Sequence, residues 1–245
     1  TLVTSPAISS FGLWTEQIIA ESTGKEGTGI IPVAGEPLMD PAAYGDDRLF
    51  IYLRLEGDDN SATDEALEQI QAAGQPVVRL ELQDRYDLGA EFFRWEFATS
   101  VAGALLGIHP FDQPNVQSAK DKTAAVLQSY LSTVQLPGKD ASDSLNDLLD
   151  KARPGDYLAI MAYLRPTPEV DQALNALRRR VIEQYRIATT LGYGPRFLHS
   201  TGQVHKGGPD SGLFLQLTTD HQEDIRSPAS PTPSVCLQMP RPWVT

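Results

Sequence analysis

The 245-residue chain has a single cysteine, Cys236, so it forms no internal disulfide and offers no cysteine-based zinc site. Cationic residues are scarce: 20 Lys and Arg stand against 32 Asp and Glu, a net charge of −12. That balance excludes a basic footprint for nucleic acid or an anionic membrane surface, though not a locally positive pocket for a small anion. No apolar run approaches the ~20 residues of a membrane-spanning helix. The opening Thr1–Pro6 lacks the basic and apolar regions of a signal peptide, and no initiator methionine stands before it. Thr1 therefore reads as a cut point inside a longer protein, and the lone cysteine fits a reducing, cytoplasmic setting. A phosphate-binding GxxxxGK[ST] loop, a GxGxxG fingerprint and a GxSxG nucleophile elbow are all absent.

What is present alternates between two periods. Strands are expected at 2–4, 29–33, 49–55, 77–82, 157–164, 196–199 and 213–217, from short β-branched runs. The run from Leu49 to Leu53 is apolar at every position, as in a strand covered on both faces. Helical patterns lie between them. Ser10 caps one that stops at Gly24, residues 62–73 form another, and the mostly apolar 88–106 reads as a central helix with Phe92, Phe93 and Trp95 in the core. A further helix covers 116–134 after Pro114. Val170, Leu174, Leu177, Val181 and Tyr185 share one helical face, with Arg178–Arg180 read as solvated. Alternating strands and helices of these lengths predict an α/β fold with a mostly parallel sheet. The stretch 226–245 differs, with five prolines and no acidic residue, and reads as an extended or disordered tail.

Three segments carry chemistry. In Trp14–Lys25, Glu21 continues the helical face of Trp14, Gln17 and Ile18 where an apolar stripe meets a glycine-ended loop. It is either a desolvated general base or a solvated glutamate in a last turn. In Ile108–Lys120 a Pro-bounded turn leads into the next helix, where Lys120 opposes the macrodipole or is a plain surface lysine. In Gly192–Pro209, His199 and His205 sit among glycines and hydroxyl residues. Their spacing is poor for a metal and better suited to acid–base use, or the loop is a glycine-rich turn with incidental histidines.

Gln17–Lys25 resembles the Q-x-x-x-E-S-x-G-K segment of glucose-6-phosphate isomerases, and Phe111–Lys120 resembles their F-D-Q-x-x-V-E-x-x-K signature. The preceding Trp95-Glu96 and Gly103 match as well. Phe92–Glu96 and Pro195–Gln203 resemble the isomerase part of bifunctional transaldolase/glucose-6-phosphate isomerase fusions. The resemblance covers residues 1–225. It implies a flavodoxin-like sugar-isomerase domain, the second of two, acting on glucose 6-phosphate and fructose 6-phosphate without cofactor or metal. By resemblance Glu21 is the base that moves a proton between C1 and C2 through a cis-enediol, and Lys120 serves ring opening. Gln17, Gln113 and Lys206 are expected to hold substrate.

The chain departs from the family at the ring-opening histidine. Gly35-Glu36-Pro37 is similar to the segment before it, but residues 38–48 contain no histidine. His205, then His199, is the expected substitute. The family's Ser/Thr-rich phosphate cradle and G-G-R arginine belong to a first domain and do not occur here, and the tail lacks the family's ending. The resemblance thus implies a missing N-terminal isomerase domain as partner; the likeness to the fusions implies an upstream transaldolase domain by resemblance alone, and a homodimer is a further option. The rival readings are a sugar-phosphate-binding module without chemistry, and a half-site inactive without the missing domain.

Overall fold

The computed structural model describes residues 1–112, 114–133 and 144–219. Contacts divide them into two units. One holds residues 1–112 and 144–217; the other holds the helix at 114–133 with residues 218 and 219.

The first unit begins with β1 (Leu2–Thr4), α1 (Ser10–Thr23), β2 (Phe50–Leu55), α2 (Ser61–Ala72), β3 (Val77–Leu82) and α3 (Leu88–Leu106). The three strands form a parallel sheet in the order β1-β2-β3, with Leu53 beside both Thr4 and Leu80. The apolar run in β2 is covered on both faces, as a parallel strand requires. Phe50 and Tyr52 pack with Leu67 and Ile70 of α2, whereas Leu53 and Leu55 pack with Phe11 and Ile19 of α1 and Trp95 of α3.

The chain continues, in the second unit, with α4 (Pro114–Thr133), then returns to the first with α5 (Leu145–Leu149), β4 (Tyr157–Tyr163), α6 (Pro168–Tyr185), β5 (Ala188–Tyr193), α7 (Gly202–Gly207) and β6 (Gly212–Thr218), whose last residue passes to the second unit. Their sheet runs β5-β4-β6, and β4 pairs with β5 in parallel. Leu158, Ile160 and Ala162 of β4 face Leu174 and Val181 of α6, while Tyr157 and Ala159 face Val33 on the other side. The molecule is α/β, with parallel strands flanked by helices, as expected.

A buried polar knot ties the sheets. Leu2 N–H donates to Val33 O at 2.7 Å. Arg178 of α6 is buried and donates to Gly35 O and to the hydroxyl and carbonyl of Thr189. Glu36 accepts from the Thr189 N–H and hydroxyl and pairs with Arg48. The reading of Arg178 as solvated is thus overturned: it shares the inner row of α6 with Leu174 and Val181, and carbonyl and hydroxyl acceptors satisfy its guanidinium.

Three other expectations change. Residues 29–33 form no strand; a single bridge, Leu2 to Ala34, replaces it. Pro32 has no N–H for a ladder, and Gly29 has φ 151°. Residues 196–199 form a 3-10 turn, because the neighbouring partner position beside β4 is taken by β5, which the sequence reading passed over. Finally, α3 is not central. Its buried row is Glu91, Trp95, Thr99 and Gly103, spaced by four. Phe93, two positions round the helix, is 71% exposed and Leu105 is 84% exposed. The expected 116–134 helix is observed as α4, and residue 134 and the 226–245 tail lie outside the described residues.

Candidate functional site

α1 buries Phe11, Thr15, Ile19, Ala20 and Thr23 and brings Glu21 to the edge of that face in its last turn, half-buried. Gln17, one turn earlier and exposed, donates from Nε2 to Glu21 Oε2 at 3.5 Å, the outer limit for a hydrogen bond. The helix ends sharply. Thr23 returns its hydroxyl to Ile19 O at 2.7 Å, and the Gly24 N–H reaches Ala20 O at 3.1 Å. A Cβ on Gly24 would lie 2.3 Å from Val204 Cα, so only glycine lets α7 approach this closely.

That approach joins the first segment to the third. Gln203 of α7 is buried and donates from Nε2 to Gly24 O at 2.9 Å, and Gly27 N–H donates to Gly207 O at 2.9 Å. The first segment also meets the start of the second. Lys25, fully buried, donates from Nζ to His109 O at 2.9 Å, to Asp112 Oδ1 at 3.0 Å and to the Asp112 carbonyl. Three stretches far apart in the chain therefore converge on residues 20–25.

The remaining expected residues separate. His199 is exposed on the 3-10 turn. His205 lies on α7 with its ring stacked on Tyr157 at 6.0 Å and edge-on to Phe214 at 5.3 Å. Neither ring nitrogen has a hydrogen-bond partner among the described residues, and burial pushes the imidazole down to about 3. Held this way it is neutral through the working pH range. Lys206, next to it, is exposed, yet desolvation draws its ammonium below the ordinary lysine range. Lys120 is exposed on α4, in the second unit, and Gln113 lies outside the described residues.

Sequence reasoning missed Glu16. It is buried on the α1 face toward Ser200, and burial raises its carboxyl to about 7 against the opposing pull of Arg196 and Arg178. Its Oε1 has no hydrogen-bond partner among the described residues. A helical wheel holds the signal, since Glu16 lies four residues from both Gly12 and Ala20 on the buried face. Lys25 has no such signal, because its partners are 84 and 87 residues away.

Open cavities lie in the first unit. One of about 420 Å³ runs between α1 and α3 along Ile18, Ser22, Phe93, Phe97 and Phe111. Another, of about 530 Å³, opens at β1 beside Thr4, Ser9, Gly35 and Thr63. Among the described residues there is no group of three metal-ligating side chains, and no helix is long and apolar enough to cross a membrane.

The chain is similar to curated proteins named glucose-6-phosphate isomerase. It is 28% identical to the one from Lactobacillus helveticus over 158 residues, which is 50% of this chain and 35% of that protein. The Enterococcus faecalis protein is 26% identical over the same shares, and the Mycoplasmopsis pulmonis protein is 28% identical over 47% of this chain and 36% of its own length. The match thus spans about a third of the length of these relatives. No family model matches the chain, and no solved structure does.

Proposed function

We propose that this chain is part of an aldose–ketose isomerase that interconverts glucose 6-phosphate and fructose 6-phosphate. The observation that carries the reading is the convergence at the end of α1. Glu21, the loop ahead of the signature helix and the Gln203-bearing α7 share one backbone neighbourhood, held by Gly24 and Lys25. The curated relatives, named glucose-6-phosphate isomerase, support the same activity.

In this reading Glu21 is the base. Its carboxylate stands half-buried at a helix end, with Gln17 beside it to orient one oxygen. The mechanism moves a proton between adjacent substrate carbons and needs a second group at the ring oxygen. Lys120 and one histidine fill that need by resemblance. Exposure favours His199 for the role, since both nitrogens of His205 are enclosed by protein. Gln113 and Lys206 remain the proposed substrate contacts. Residues 1–225 are then the second isomerase domain, in a protein that also carries the first and, by the fusion resemblance, a transaldolase.

A second reading, a half-site that is inactive alone, has its own observation. Phe93, Phe97, Val101 and Leu105 recur every four residues along α3 and are all exposed, an apolar row that a partner surface would cover. Coupled detection of glucose 6-phosphate formed from fructose 6-phosphate tests both. Turnover by full-length protein supports the isomerase, and turnover by residues 1–245 alone rejects the half-site. Absence of turnover by full-length protein overturns the first reading.

A further inference from the structure

Lys25 is the buried lysine that the chemistry above leaves unused. Its side chain is 1% exposed, whereas that of its ion-pair partner Asp112 is 52% exposed. A lysine is rarely buried to this degree unless its ammonium is fully engaged. Here three acceptors engage it: two main-chain carbonyls, of His109 and Asp112, and the Asp112 carboxylate. Two carbonyls and one carboxylate meet the three donors of an ammonium.

Both ends of the clamp are fixed. On the lysine side, Glu26 (φ 55°) and Gly27 (φ 77°) form a two-residue turn, with Lys25 and Thr28 exchanging backbone hydrogen bonds at 3.0 and 2.9 Å. That turn is in turn tied to Gly207 of α7. On the other side, Gly107 ends α3 with φ 73°, and Ile108 N–H returns to Gly103 O at 3.0 Å. Gly103 lies so close to Pro110 that a Cβ there would sit 2.9 Å from the proline ring. Residues 108–112 are therefore a short bridge held at Gly103 and at Lys25.

We infer that Lys25 is a positioning residue: its ammonium locks the 109–112 loop to the helix end that carries Glu21. This rests on the isomerase reading for its catalytic meaning. A surface lysine at position 25 would give no reason for burial.

The test uses the full-length protein with Lys25→Met and, because loss of a buried ammonium can impair folding, the milder Asp112→Asn. Hydrogen exchange at 108–112 and isomerase kinetics are read on folded samples. Lys25→Met is expected to speed exchange at 108–112 by at least ~10-fold and to lower kcat by ~10-fold or more with KM changed by less than ~3-fold. Asp112→Asn is expected to move both in the same direction by a smaller factor, and the double variant to be no worse than Lys25→Met alone. Unchanged exchange in both variants overturns the clamp. Accelerated exchange with unchanged kcat overturns the positioning role while the clamp stands. Wild-type protein without isomerase activity overturns the functional reading and the catalytic part of this inference, and exchange alone still decides the clamp. If Lys25→Met does not fold, Asp112→Asn decides both points.

Discussion

Glu36 accepts hydrogen bonds from both the N–H and the hydroxyl of Thr189, at 2.8 and 2.9 Å, across 153 residues of sequence. One carboxylate thus fastens the loop after Ala34 to the start of β5, and Arg48 at 3.2 Å balances its charge. Glu36 belongs to the segment that resembles the family's G-E-P, so this piece of the motif is structural.

Removing it leaves Arg48 buried without its carboxylate. Glu36→Ala is expected to destabilise the fold by about 3–5 kcal/mol, and Glu36→Gln by less, because an amide oxygen still accepts from Thr189. Denaturant midpoints of the purified variants check this. A loss below ~1 kcal/mol for the alanine variant would show the knot to be dispensable.

Glu16 gives stability an unusual pH dependence. Its folded carboxyl is raised to about 7, by burial first, from an ordinary value of 4.5. Between those values the folded state keeps a proton that the unfolded state has released, so this contribution is complete below pH 4.5 and disappears as pH rises through 7. The full swing is about 3 kcal/mol at most. Glu16→Gln keeps a neutral polar group and is expected to flatten the decline between pH 4.5 and 7. Unfolding measured across that window decides it, and an identical slope in the variant refutes the assignment.

His205 acts in the opposite direction. Its folded value of about 3 lies below the ordinary 6.5, so the unfolded state binds the proton first and stability falls as pH drops from 6.5 toward 3. His205→Phe fills the same aromatic site and is expected to lose that acid-side decline, with stability at pH 7.5 within ~1.5 kcal/mol of the parent. Its turnover is informative too. Activity retained in His205→Phe and lost in His199→Ala assigns ring opening to His199, and the reverse pattern returns it to His205.

Glu21→Gln in full-length protein is expected to lower kcat by about 10³-fold, within the range that positioned acid–base groups supply, with substrate binding largely intact. Coupled turnover and calorimetric titration with fructose 6-phosphate measure the two separately. Retention of most of the turnover removes Glu21 from the mechanism.

Much of the scaffold was legible in the sequence. The all-apolar run in β2, the glycine stop of α1 and the four- and three-residue spacing in α6 each encode one local decision, and local decisions need only the side chains within one element. The misread elements share a different cause. Pro32 sat inside an apolar run, β5 carries the mixed Ala-Thr-Thr-Leu-Gly-Tyr, and α3 turns Glu91 and Thr99 inward while Phe93 faces out. Pairing and burial, which involve residues distant in the chain, settled all three.

The opening scarcities are properties of the sequence alone: one cysteine cannot form a disulfide within these 245 residues, and 32 acidic against 20 basic residues leave a net charge of −12. The sequence by itself also marked Glu21, the 111–120 segment and the 192–209 loop as chemically unusual, because residue types and spacing are written in one dimension. Only the tertiary structure brought the start of the second segment and α7 to the end of α1. It alone enclosed His205 between two aromatic rings, raised Glu16 by burial and gave Lys25 its three acceptors. The reason is physical: desolvation and hydrogen-bond partners depend on what the rest of the chain places against a side chain, and no local spacing carries that information.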